Sequence, residues 1–276
     1  VRCLGIALLV CATAVALAAC GLEPKPRALP AGFAHPRFML ISDEAQGALL
    51  VGGDYGMQYS VDGGRTWQLP AMGNKPVLAA APYLDRLLVS RGATAQVYGY
   101  ALQGEANPRV PWPFGSAVTQ LAGNARRFRL WAITTDGGLQ LHYSNDGGTY
   151  WWDLPAVGLC RHPRALAVGG AAAGEDERLW VACGHQGLQA SDDLGVSFQT
   201  LPGISNAATV AAARSVAGRI AVATPRVIVT RDNGHTWSIS GLEANAIAID
   251  PRNPDLVFAA SIDGRLFASL DGGKSF

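Results

Sequence analysis

The chain has 276 residues, with 22 Lys plus Arg against 21 Asp plus Glu and a formal charge of +1. Such a balance lacks the basic face that nucleic-acid binding requires. Five histidines and five cysteines with no Cys-x-x-Cys or His-x-x-x-His spacing offer no metal site, and no cofactor is expected.

Arg2 supplies one positive charge, and Cys3 to Ala19 then form an unbroken run of apolar and small residues ending in Leu17-Ala18-Ala19-Cys20-Gly21. A basic start, an apolar stretch and small residues before a cut are the marks of an export signal. The run is short of the roughly 20 residues that span a bilayer, and no basic cluster follows it. Leu-Ala-Ala-Cys resembles the bacterial lipobox. The resemblance implies removal of residues 1–19 and lipidation of Cys20. It also implies a place in the cell envelope, at the outer membrane facing the periplasm, because Gly21 rather than Asp follows the cysteine. Loss of Arg2 leaves 21 residues of each charge. Residues 20–36, with Pro24, Pro26, Pro30 and Pro36, read as the lipidated cysteine and an extended tether. The folded domain is expected over 37–276.

From there the chain repeats itself. Five segments fit Ser/Thr-x-Asp-x-Gly-x-Thr/Ser-aromatic: 60–67, 144–151, 191–198, 230–237 and 269–276. Only the second departs, with Tyr150 at its seventh position. Successive starts lie 84, 47, 39 and 39 residues apart, and the first gap is twice 42. An intervening unit with a decayed box is therefore expected, with strands at 86–90 and 96–100 and its box position at 103–107. Before each box come short apolar runs bounded by Gly/Asp turns, such as Leu49-Leu50-Val51, Leu179-Trp180-Val181-Ala182 and Leu256-Val257-Phe258-Ala259. These read as hairpins, each preceded by one more strand, as at 165–168 and 246–249. Four strands per roughly 42 residues is the period of a propeller blade. The fold class is thus all-β: a β-propeller of four-stranded antiparallel blades with Asp-box turns, six blades visible and six or seven in the full protein.

Local chemistry accounts for the box. The carboxylates of Asp62, Asp146, Asp193, Asp232 and Asp271 can accept hydrogen bonds from their own turn, and the leading Ser or Thr hydroxyl can add another. The glycine two positions after each aspartate is placed where positive φ is needed. The closing aromatics, Trp67, Trp151, Phe198, Trp237 and Phe276, can plug the space between blades. These are structural assignments.

At these residues the chain resembles the BNR/Asp-box superfamily, shared by sialidases, xyloglucanase-type glycoside hydrolases, sortilin-like receptors and photosystem II assembly-factor-like proteins. Asp250-Pro251-Arg252-Asn253-Pro254 looks like the turn common in the xyloglucanase, sortilin and assembly-factor branch. The resemblance specifies fold more than function. It places the second-to-third-strand turns and the blade-to-blade connections on the face opposite the boxes, displaying Asp54, Tyr55, Arg91, Asp136, His185, Arg226 and Asp263, with Trp112 in a connection. The sialidase Phe/Tyr-Arg-Ile-Pro is missing, and no arginine triad can be assigned. Gly53-Asp54-Tyr55-Gly56 resembles the turn carrying one catalytic Asp in xyloglucanase-type enzymes, which take the partner acid from a second propeller. Asp54 is therefore a weak catalytic candidate beside its ordinary use in a turn.

The reading that follows is a lipid-anchored, non-catalytic binding or assembly module whose partner is a protein or envelope polysaccharide, closest in plan to the assembly-factor group. The alternative is a glycoside hydrolase of sialidase or xyloglucanase type. Cys160 and Cys183, the two cysteines outside the signal and lipobox, both belong to the connection-bearing face and can pair there; strand order leaves their separation open. Finally, the sequence stops at Phe276, where the last blade's outer strand should continue. An open edge there predicts roughly 10 to 60 further residues at the usual blade length.

Overall fold

The computed structural model describes residues 25–33, 36–42, 47–70, 75–83, 86–91, 97–100, 106–110, 112–124, 127–135, 137–170 and 177–276. Its strands form antiparallel sheets in chain order. The N-terminal β1 (Arg27–Ala28) is followed by sheet I, β2 (Phe38–Ile41), β3 (Leu49–Gly53) and β4 (Gly56–Ser60). Sheet II is β5 (Val77–Tyr83), β6 (Arg86–Arg91), β7 (Val97–Tyr100) and β8 (Ala106–Val110). Sheet III is β9 (Val118–Asn124), β10 (Arg129–Thr134), β11 (Gln140–Ser144) and β12 (Trp152–Leu154). Sheet IV is β13 (Ala165–Val168), β14 (Leu179–Ala182), β15 (Leu188–Ser191) and β16 (Gln199–Thr200). Sheet V is β17 (Thr209–Ala212), β18 (Ile220–Ala223), β19 (Val227–Thr230) and β20 (Ser238–Ile239). Sheet VI comprises β21 (Ala244–Ile249), β22 (Val257–Ser261), β23 (Arg265–Ser269) and, as its fourth member, β1.

Burial runs radially. The first strands β2 and β13 alternate, because one side faces a central channel. Second strands, such as β3, β14, β18 and β22, are buried at every position. They carry the continuous apolar runs because neighbouring sheets cover both their faces. Outer strands β16 and β20 are exposed throughout. The channel is lined by Phe38–Ile41, Ala79–Pro82, Gln120–Gly123, Ala165–Val168 and Thr209–Ala212. Its frequent alanines suit the crowded axis of a ring. Each first strand touches the next, and β2 touches both β5 and β21, so the ring is continuous.

Each box aromatic packs between its own sheet and the preceding one. Trp67 joins the core between VI and I, Trp151 that between II and III, and Phe198 that between III and IV. Trp237 and Phe276 do the same for IV–V and V–VI. Polar ties reinforce these seams. The buried Glu177 accepts from Asn124 Nδ2 at 2.8 Å and from the Arg129 guanidinium, joining sheets III and IV. Asp255 accepts from Arg219 at 2.8 Å and from Arg231 at 3.1 Å, joining V and VI.

Three expectations are corrected. Among the described residues five blades are four-stranded rather than six. Sheet I has three strands, its outer edge reduced to a bridge between Tyr59 and Gln68 two residues before Pro70. The edge expected to stand open at β23 is occupied, since Arg27 pairs with Leu266 and Ala28 with Arg265. The tether expected over 20–36 is docked across 25–33. The Leu29 N–H donates to Gly264 O at 3.0 Å, and Leu29 and Phe33 are buried in the core between VI and I. Pro26 and Pro30 are compatible with this because an edge strand tolerates residues that cannot donate.

Candidate functional site

The two faces of the ring are built differently. On one lie the boxes and the turns between first and second strands. Here the Ser60 hydroxyl accepts from the Gly64 N–H at 2.7 Å and donates to Asp62 Oδ1 at 2.7 Å. The same Oδ1 accepts from the N–H groups of Arg65 (2.9 Å) and Thr66 (3.0 Å), and Asp62 Oδ2 from the Thr66 hydroxyl (2.7 Å). Asp193, Asp232 and Asp271 repeat this with Ser197, Thr236 and Ser275. Tyr150 cannot offer that hydroxyl, and its N–H instead reaches both oxygens of Asp146, at 3.0 and 3.2 Å. Partial burial alone would raise the Asp62 carboxyl, but the Thr66, Ser60 and Arg65 hydrogen bonds outweigh it and hold the group well below the usual carboxylate range. Asp232 is held low first by the Thr230 and Thr236 hydroxyls. Carboxylates engaged in this way by their own turn shape that turn.

The opposite face carries the second-to-third-strand turns and the sheet-to-sheet connections. Asp54 stands in the first of these turns with its Oδ1 2.7 Å from Arg37 Nε. Tyr55, 64% exposed, lies over Gly32 of the docked N-terminal segment. Arg91 ends β6, half-buried. His185 is exposed and hydrogen-bonded to Asn206, and Arg226 is exposed in the turn closed by Thr224. Asp263 pairs with Arg265 Nε at 2.6 Å; the Ser261 hydroxyl first, then Arg265, hold its carboxyl below the ordinary value. Trp112 lies in the connection between β8 and β9. It is half-buried against Trp151 (4.9 Å between centroids) and Phe114 (5.0 Å), and its indole N–H reaches Ser116 O. Asp136 and Cys20 lie outside the described residues. Cys160 and Cys183 are joined by a disulfide with Cα atoms 6.0 Å apart, and both are buried. It pins the connection leaving sheet III to the end of β14.

One group escaped the sequence reading. At the top of sheet III, Pro113–Ser116 and Gly137–Gln140 border a pocket with Thr134 and His142 in its wall. His142 is buried, stacked on Phe114 at 3.7 Å, with Nδ1 2.7 Å from Asp153 Oδ1 and Nε2 2.9 Å from the Thr134 hydroxyl. Burial lowers its pKa, against the pull of Asp153, so the ring is neutral at pH 7. A carboxylate can only accept, so the Nδ1 proton points to Asp153 and Nε2 accepts from Thr134. The alternation Gln140-Leu141-His142-Tyr143 put His142 on one face of a strand, but nothing local indicated that Thr134 and Asp153 flank it on the neighbouring strands.

The profile of the BNR/Asp-box repeat matches residues 58–69. No curated protein matches the sequence. Among solved structures, the chain is similar to the GH74 xyloglucanase from Xanthomonas campestris, with TM-score 0.58 and 17% identity over 91% of this chain and 46% of that one. The chain thus spans less than half the length of that enzyme. It is also similar to YCF48 bound to D1 peptide, with TM-score 0.52 and 12% identity over 89% and 94% of the two chains. For the RRP9 WD40 repeats the values are 0.56 and 15%, over 88% and 97%. At such identities the likeness is one of fold.

Proposed function

Taking the chain as a β-propeller built on BNR/Asp-box repeats, we propose that it is a non-catalytic binding module, anchored through lipid at Cys20, that presents the connection-bearing face to another envelope component, a protein or a polysaccharide. One observation carries the reading. The two carboxylates in the described turns between second and third strands on that face, Asp54 and Asp263, are each engaged by an arginine of the same chain, at 2.7 and 2.6 Å. Glycoside hydrolysis needs one carboxyl kept protonated as acid and another free as base or nucleophile. A guanidinium on the oxygen opposes the first role and occupies the second. The same pairing suits recognition, because it holds charged groups in fixed positions on a rigid rim. The hydrolase alternative draws on the resemblance of the Asp54 turn and on the likeness to the GH74 xyloglucanase, which is one of fold.

Photo-crosslinking in the native envelope tests this. A benzophenone side chain at Tyr55 or Ile262 should yield discrete adducts that one at Val61, on the box face, does not. Hydrolysis of xyloglucan or a sialoside above background that disappears with Asp54→Asn would overturn the reading.

A further inference from the structure

The direction of β1 fixes where the anchor leaves the ring. β23 descends from the Ile262–Gly264 turn towards the box that begins at Ser269, and β1 pairs with it antiparallel. The chain therefore climbs from Lys25 towards Leu29, which bonds Gly264 at the connection-bearing face. Lys25 lies at the other end, beside Phe267 and Ala268, and the Arg27 guanidinium donates to Gly63 O inside the first box. Cys20 precedes Lys25 by five residues, which span at most roughly 18 Å when fully extended. Five-residue strands plus their turns make the ring about as deep as that. An anchor at Cys20 thus meets the bilayer on the box side without stretching, whereas laying the connection-bearing face on lipid would use the whole leash.

A second observation points the same way. The box face bears a set of exposed apolar tips. Val61, Tyr150 and Val196 sit in boxes, while Phe128 and Val216 sit in first-to-second-strand turns. Phe128 shares that face directly, since its carbonyl accepts from the Gly147 N–H of a box. Tyr150 is 69% exposed and Phe128 53%. Arg65 and Lys274 are exposed among them. Among the described residues, the box aspartates of this face are folded into their own turns, and Asp192 and Asp255 are paired with arginines. Aromatic and aliphatic tips with cations between them suit the headgroup boundary of a bilayer.

We infer that the box-bearing face lies against the membrane surface, its apolar tips among the lipid headgroups, and that the connection-bearing face points away from the bilayer. This rests on the lipid anchorage proposed above. It assigns the repeats a second use: the turns that build the ring also form its membrane-apposed base. It also restricts partners of the opposite face to molecules that reach it from the aqueous side.

The test uses the full lipidated chain in phosphatidylcholine vesicles containing a headgroup-spin-labelled lipid, with a fluorophore on Tyr150→Cys or on Tyr55→Cys. Quenching at position 150 should exceed that at position 55 several-fold. Phe128→Cys and Ile262→Cys form a second pair, should either first variant fail to fold, and should give the same order. Flotation of the unlabelled wild type and Cys20→Ser separates the two layers of the argument. If the wild type floats with vesicles, Cys20→Ser does not, and position 55 is quenched as much as or more than position 150, anchorage stands and the orientation falls. If the wild type does not float, both fall.

Discussion

The two faces of this ring differ in how their polar groups are satisfied. In the boxes every partner of the aspartate lies within four residues of it, and in all five its Oδ1 accepts from the N–H four residues on. On the opposite face the partners differ from group to group and several are distant: Arg37 for Asp54, Asn206 for His185, and Thr134 with Asp153 for His142, beside the local Ser261 and Arg265 that hold Asp263. Repetition with local satisfaction is what stability asks of a turn, and it can be copied from blade to blade. A set of unlike polar groups, held from several strands, is what recognition asks of a surface. The contrast teaches where to look for function in a repeat protein: away from the motif that identifies it.

The strongest challenge to the contrast is the Cys160–Cys183 bond, a stabilising element on the variable face. Closing a loop of 23 residues, it should contribute roughly 3 kcal/mol in the loop-entropy model. The Cys160→Ser, Cys183→Ser double variant should melt lower by about 6–12 °C in calorimetry. No change would mean that the variable face adds little to stability. Next in size is the box hydroxyl. Ser60→Ala leaves the Gly64 N–H buried without its acceptor, at a cost of about 1–3 kcal/mol. Denaturant titration should show the loss, and a wild-type midpoint would break the claim that the boxes are structural. Gly64→Ala should be worse than Gly115→Ala on the other face. The former has φ of 88° and its Cβ would fall 2.2 Å from Leu266 Cδ2, whereas the latter would meet nothing within 4 Å.

Acid sharpens the comparison further. The box carboxylates have depressed pKa values in the folded ring. They therefore favour folding above their unfolded value near 3.9 and lose that contribution as pH falls through the lower folded values. His142, lowered by burial, acts earlier: the unfolded chain takes up the proton first, so stability declines as pH drops below about 6.5. Melting temperatures between pH 8 and 2 should show a shallow fall below 6.5, removed by His142→Gln, and a steeper one below about 4, lessened by Asp→Asn in the boxes. The smallest effects belong to the exposed rim. Arg226→Ala and Asp54→Asn should change stability by no more than about 0.5 kcal/mol, while altering crosslinking to the partner.

What could be read from the sequence follows the same division. The box chemistry was legible because donor, acceptor and turn all lie within eight residues, and the interblade role of Trp67 or Phe198 followed from period and size. The blade count was less so, since the outer strand of sheet I shrinks to a single bridge, and no local pattern announces that. Closure by Arg27–Ala28 was illegible. Two residues among prolines carry no strand signal, and their partners lie at the far end of the chain. The packing of Trp112 was illegible for a related reason: a tryptophan in a connection has no periodic neighbours to show which way it turns, and here it turns onto Trp151. His142, Thr134 and Asp153 come together only through the register of three strands.

The pairing of residue 27 with residue 266 also sets an order of events. A chain that emerges N-terminus first delivers β1 before all the other strands of the ring and its partner β23 after them. Each hairpin and box can form as soon as it appears, because its contacts are local, but the seam between sheets VI and I must wait for nearly the whole chain. Contacts of such long sequence separation are the slow ones to form. Until then Leu29, Phe33, Met39 and Leu49 have only half of their apolar surroundings, and an incomplete ring exposes a strand edge open to mispairing. Loss of β23 should therefore harm this protein as a failure of assembly, with every earlier repeat able to form and none able to complete the circle.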